Sequence, residues 1–187
     1  MRIDWPACIL GAIAILILPL NWLLAGMLAA AIHELCHFLA VKAMGARVLG
    51  FRIAAGGAII ETSPMSPGRE LLCVLSGPLG GLLLILVSWW VPRVAICGVL
   101  QSAYNMLPVY PLDGGRAVGC IVELLPEKYR AYGQGFQYGI SIAIMAAAVL
   151  AAMILRFPAL LVPFLPMMKE KFLAKRGKKG YNIVTLK

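Results

Sequence analysis

The apolar residues of this chain fall in long blocks, with little alternation. Runs cover Trp5–Leu20, Asn21–Ala43, Arg69–Val91, Val94–Leu125 and Gln134–Leu155, and a shorter one covers Phe157–Met168. A helix needs about 20 apolar residues to cross a bilayer, so most of these runs have spanning length. Pro19 separates the first two. The fourth is broken at Pro108 and Pro111 and resumes through Gly114 and Gly115. A broken backbone at membrane depth is tolerated only where it packs in protein or lines a cavity. Gly45–Pro67 has a different pattern. Val48, Phe51, Ile53, Ile59 and Ile60 are interspersed with Gly50, Gly56 and Gly57, which predicts one or two short strands with a glycine turn. The expected fold is an all-α polytopic membrane protein of about six transmembrane helices, with a short membrane-associated β-hairpin-like segment after the second.

Composition agrees with this pattern. The chain is 61% hydrophobic and 13% charged, where soluble domains carry about 25% charged residues. Its net charge of +9 is read as topology and not as a nucleic-acid footprint, because basic residues collect on the cytoplasmic face of membrane proteins. With Met1 inside and six crossings, only Arg93 and Arg156 of the 17 Lys and Arg residues lie outside. This places a multi-pass protein in the cell membrane with both termini cytoplasmic. Residues 1–168 form one transmembrane domain, and 169–187 form a basic cytoplasmic tail. Arg2, the apolar run and the small residues Ala29–Ala31 weakly resemble a signal peptide. Cleavage there would leave the motif described next at a frayed end, so the segment is read as a retained first span. Cys8, Cys36, Cys73, Cys97 and Cys120 are odd in number, lie in apolar segments and form no C-x-x-C, which predicts free thiols and no disulfide framework.

Both histidines of the chain lie in His33-Glu34-Leu35-Cys36-His37, inside the second run. Residues i and i+4 share a helix face, so the two imidazoles can bind one metal ion, and Glu34 is placed to work on a water at that metal. Cys36 is turned about 100° away from His37 on the helix. Zinc hydrolases use three protein ligands plus water. With no third histidine, the remaining ligand must be Asp, Glu or Cys. Asp113 stands out among the eight acids, because it lies in the broken fourth run, in Asn105-Met106-Leu107-Pro108-Val109-Tyr110-Pro111-Leu112-Asp113-Gly114-Gly115-Arg116. A carboxylate at membrane depth is costly unless paired or metal-bound. The competing reading makes Asp113 an N-cap of the resumed helix. Asn105 reads as a cap, a core amide or a donor to a developing oxyanion. Arg116 and Tyr110 read as a snorkelling cation and an interfacial ring.

An intramembrane H-E-x-x-H followed on a later span by N-x-x-P-x-x-P-L-D-G-G-R resembles the site-2 protease family, zinc metalloproteases that cleave substrates within the membrane. The resemblance covers Asn21–Leu125. It implies one Zn2+ per chain held by His33, His37 and Asp113, with Glu34 as general base and Asn105 assisting the substrate or intermediate. It also implies a membrane-associated protein substrate, regulated proteolysis of the kind that releases a transcription or sigma factor, and a regulatory membrane protein as a partner class. The six-span plan without PDZ or CBS domain resembles the sporulation-type branch. One departure is local: many members have G-P-x-x-N on the third span, and here Gly77-Pro78 is followed by Gly81 in the asparagine's place.

Two other functions compete. A catalytically inactive metal-binding membrane scaffold would not need Glu34. A metal-ion transporter would spread polar residues along a path, and here they cluster at one depth on two spans. The oligomeric state is left open.

Overall fold

The computed structural model describes residues 2–3, 15–54, 57–154 and 156. Most of the first apolar run, the last run 157–168 and the tail 169–187 lie outside them. In order, the elements are β1 (Arg2–Ile3), α1 (Leu20–Ala43), β2 (Val48–Ala54), β3 (Gly57–Thr62), α2 (Pro67–Leu83) with a 3₁₀ extension Leu84–Val87, α3 (Pro92–Asn105), α4 (Asp113–Leu124) and α5 (Glu127–Ile154). Three of these are long and apolar enough to cross a membrane: α1, α2 with its 3₁₀ extension, and α5.

Helix α1 begins after Pro19, whose carbonyl accepts from Trp22 and Leu23 N–H. It ends at Gly45, whose φ of +75° is a backbone conformation that glycine adopts without penalty. The chain then forms a hairpin. β2 and β3 pair antiparallel from Ala54↔Gly57 to Val48↔Thr62, with an irregularity between Val48 and Gly50. This is the glycine-turn hairpin expected from the sequence. The sequence did not foresee a third strand: Arg2–Ile3 pairs parallel to β2, at Arg52 and Ile53. Helix α5 starts at Glu127, two turns before the expected Gln134. Hydropathy marks where a helix becomes apolar, and residues such as Glu127, Lys128 and Arg130 carry it earlier as good helix formers.

The helices pack around small residues. On α1 the buried positions Ala25, Ala29 and His33 recur every four residues and form one stripe. Ala25 and Ala29 pack with Leu84, Val94 and Ala95. The opposite surface exposes Leu20, Leu24, Met27, Leu28, Leu35 and Leu39, as expected of a helix that faces lipid and keeps its polar groups inside. The contacts set the helix directions. The start of α1 and the start of α3 both lie at Leu84, whereas His37 lies at Gly77 and Cys73. Helices α1 and α3 therefore run antiparallel to α2. Arg116 meets Glu70 at the start of α2, so α4 continues in the direction of α3. The fourth apolar run is thus one path interrupted at residues 106–112.

Candidate metal centre

The interruption in that path lies beside the histidine pair. Helix α3 ends at Asn105, the chain loops through Met106–Leu112, and α4 starts at Asp113. Val109 and Leu112 anchor the loop, fully buried against Ile144 and Met145 of α5. From α5, Ser141 Oγ donates to the Gln137 carbonyl at 2.8 Å and lies 3.2 Å from the Pro108 carbonyl, and Gln137 Nε2 donates to the Gly115 carbonyl at 2.6 Å. A Cβ at Gly114 would run into the Met106 carbonyl, and one at Gly115 into the backbone of Val109 and Tyr110. The two glycines therefore let the loop close over the first turn of α4, which aims Asp113 at α1. Leu112, not Asp113, holds the N-cap position, and Asp113 is the first helical residue. Asp113 therefore does not act as the N-cap of α4.

Three ligand atoms converge there. His33 Nε2 lies 3.1 Å from Asp113 Oδ2, His37 Nε2 lies 3.1 Å from the same oxygen, and the two ring nitrogens are 3.2 Å apart. Zinc bonds to nitrogen and oxygen of about 2.0–2.1 Å in tetrahedral geometry separate ligand atoms by roughly 3.3 Å. The observed triangle is within about 0.2 Å of that spacing. His33 is 2% exposed and Asp113 8%, so the carboxylate is out of water, where an ion is the natural partner for it. The tautomer also fits. His37 Nδ1 lies 2.8 Å from the Cys73 carbonyl. A carbonyl only accepts, so Nδ1 carries the proton, and in the neutral ring Nε2 presents a bare lone pair to the triangle. The donor set therefore suits a divalent cation. Among the described residues, His33, His37 and Asp113 are the His, Cys, Asp and Glu side chains grouped closely enough to hold one.

Helix α2 supports the pair from behind. Ser76 Oγ donates to the Cys73 carbonyl at 2.6 Å and lies 3.2 Å from the Cys36 carbonyl on α1. Gly77 lies against the His37 ring and Gly80 against Cys36 Sγ, and a Cβ at either would collide with them. Cys36 thus packs on α2 and lies outside the triad. A Cβ at Gly81 would run into Ser102 Oγ and press on the Gly98 carbonyl. Helix α3 therefore fills the space that an asparagine would need at that position.

The remaining sequence candidates are distributed around the triad. Asn105 Nδ2 lies 3.1 Å from His33 Nε2, which places the amide beside the cluster and not in the core. Glu34 is half-buried next to His33 and outside the triad. Tyr110 is 40% exposed, as an interfacial ring would be. Arg116 has a partner that the sequence did not reveal: its Nη2 lies 3.7 Å from Glu70 Oε1 on α2. Sequence reasoning did not find Glu70, the Cys73 carbonyl, Gln137 or Ser141. No motif marks them, because each acts through a tertiary contact. The described cysteines 36, 73, 97 and 120 are free thiols.

With this geometry in place, comparison with solved structures is informative. The site-2 protease from Methanocaldococcus jannaschii superposes with a TM-score of 0.65, covering 97% of this chain and 91% of that one at 17% identity. The chain has the site-2 protease fold. A second likeness is in sequence. The "Putative zinc metalloprotease Rip3" of two Mycobacterium tuberculosis strains is 29% identical over 143 residues, 65% of this chain. The match spans only 33% of the Rip3 sequence. No family model matches.

Proposed function

We propose that this protein is an intramembrane zinc endopeptidase that hydrolyses peptide bonds of membrane-associated proteins. The observation that carries the reading is the triangle of His33, His37 and Asp113 at zinc-ligand spacing, on a site-2 protease fold. The Rip3 likeness agrees with zinc and with proteolysis. In this reading the three residues hold the metal, Glu34 is the general base and Asn105 an oxyanion donor. The cellular role is regulated proteolysis of a membrane-held transcription or sigma factor. The short turn from the 3₁₀ extension to α3 at Pro92 supports a plan like that of the sporulation-type branch.

A bound zinc supplies Lewis acidity, polarising the scissile carbonyl and lowering the pKa of a water toward about 7. Glu34 takes the proton from the attacking water on a carboxylate oxygen and passes it to the leaving amine. Asn105 Nδ2–H, already at the edge of the cluster, donates to the carbonyl oxygen as negative charge develops on it. The edge of β3 receives an extended segment of substrate by backbone pairing, which exposes a carbonyl that a helix would hide.

The same contacts support a reading of the topology. His33 lies nine residues before Lys42, about 14 Å along the helix, in a hydrocarbon layer of about 30 Å. The triad is therefore in the half of the membrane nearer Lys42, Arg47, Arg69, Lys128 and Arg130. The opposite end carries Arg93 with Trp89 and Trp90, which are 91% and 76% exposed, as interfacial tryptophans are. Pairing of Arg2–Ile3 with β2 puts the start of the chain on the basic side. This supports the reading of a cytoplasmic N-terminus.

The reading is tested by reconstituting the purified protein in liposomes with a pool of single-span peptides and identifying fragments by mass spectrometry. Cleavage should stop on chelation with 1,10-phenanthroline and return when zinc is restored. Zinc-loaded protein that cuts no member of the pool, or cuts equally well after metal removal, overturns it. In the same assay Asn105→Leu should lower turnover by about 10²–10³-fold, the cost of losing one oxyanion donor, with bound zinc unchanged. Turnover equal to wild type would reduce Asn105 to packing.

A further inference from the structure

The metal ligands sit on two helices and a third holds one of them, so the spacing of the triad depends on what keeps these three helices in register. Helix α1 supplies both histidines, α2 holds His37 through the Cys73 carbonyl, and α4 supplies Asp113. Buried positions on α2 and α4 include small residues: Cys73 and Gly77 on one, Gly114, Ala117 and Cys120 on the other. Small residues let helices approach closely, and polar contacts between the helices then hold them together. The Glu70–Arg116 ion pair joins these two helices. Glu70 lies three residues before Cys73, and Arg116 three residues after Asp113, so each is one helical turn from its ligand-holding neighbour and on the same face. The contacts then close a ring: Asp113 to Arg116 along α4, Arg116 to Glu70 across the interface, Glu70 to Cys73 along α2, Cys73 to His37, and His37 back to Asp113. The side chains of Glu70 and Arg116 are 14% and 34% exposed, so the pair is partly shielded from water and the charges act more strongly on each other than surface charges do.

We propose that the Glu70–Arg116 ion pair is a positioning device for the metal centre: it locks α2 to α4 at the offset that brings Asp113 to ligand distance of the Cys73-held His37. Neither residue touches the metal or the substrate. This rests on the metal-site reading above, and the experiment separates the two. Zinc is titrated into apo protein in detergent micelles against a competing chromophoric chelator, and the visible absorption of the cobalt-loaded protein is recorded. The proteins are wild type, Glu70→Gln, Arg116→Gln, the double variant, and the swap Glu70→Arg with Arg116→Glu. Each neutral variant should bind zinc about 10–100-fold more weakly, the range for residues that orient a ligand without binding the metal, and should change the cobalt spectrum. The double variant should be no weaker than either single one, because the pair acts as a unit, and the swap should recover affinity. Single variants with wild-type zinc affinity and cobalt spectrum overturn the proposal, as do losses that add independently in the double variant. If the neutral variants do not give helical, monodisperse protein, Glu70→Asp and Arg116→Lys replace them under the same criterion. A wild type that binds no zinc overturns the metal-site reading, and the positioning role with it.

Discussion

Replacing Glu34 by Gln should abolish proteolysis and leave about one zinc bound per chain. The loss should be at least the 10²–10⁴-fold that a positioned general base contributes, measured as turnover of a cleaved single-span peptide at saturating zinc. The substitution keeps the size and polarity of a half-buried side chain and removes only its ability to take a proton. Metal should stay because Glu34 is outside the triangle of His33, His37 and Asp113. The result separates two functions that the geometry alone would allow. A scaffold that only holds metal has no use for this carboxylate, and its binding behaviour would not change with Gln in its place. Turnover near the wild-type rate would mean that Glu34 is not the base.

Asp113→Ala should remove the metal itself. The variant takes away the one anionic ligand, leaving two neutral imidazoles to hold a dication at membrane depth, where an uncompensated charge is costly. Bound zinc, measured by elemental analysis of detergent-purified protein, should fall from about one per chain to near zero, and activity with it. The fold should survive. Asp113 contributes as an acid in the first turn of α4, an effect of about 0.3–1 kcal/mol, and the Val109 and Leu112 anchors are untouched. Far-UV circular dichroism should therefore stay near wild type. Zinc retained at full stoichiometry would mean that the third ligand is elsewhere and that the convergence of α4 on α1 serves packing. The Glu34 and Asp113 variants should thus fail differently, one holding zinc without turnover and the other losing both.

Much of this site could be read in one dimension. His33 and His37 are four residues apart, and any helix puts them on one face. Asp113 stands out because an acid amid prolines and glycines in an apolar run has few physical justifications. The hairpin is visible because glycines break a β-branched pattern. Other features could not be read. Arg2–Ile3 joins the sheet as a parallel strand, and nothing local in two residues announces that. The start of α5 was placed two turns late, since polar helical turns leave no hydropathy signal. Arg116 reads as a snorkelling cation until Glu70 is found opposite it.

By itself the sequence singled out the candidate residues and the apolar helices that present them, because helical periodicity and the cost of burying charge act locally along the chain. Tertiary structure decided how these residues meet. Asp113 is 80 residues from His33 in sequence and 3.1 Å away in space. That closeness depends on the loop at 106–112, on Gly114 and Gly115 admitting it, and on the clamps from Gln137 and Ser141. The choice of tautomer at His37 was likewise made by a carbonyl on another helix. The physical reason is common to all of these. Backbone carbonyls, close glycine contacts and helix offsets act only between segments distant in the chain, so they have no signature until the helices are packed.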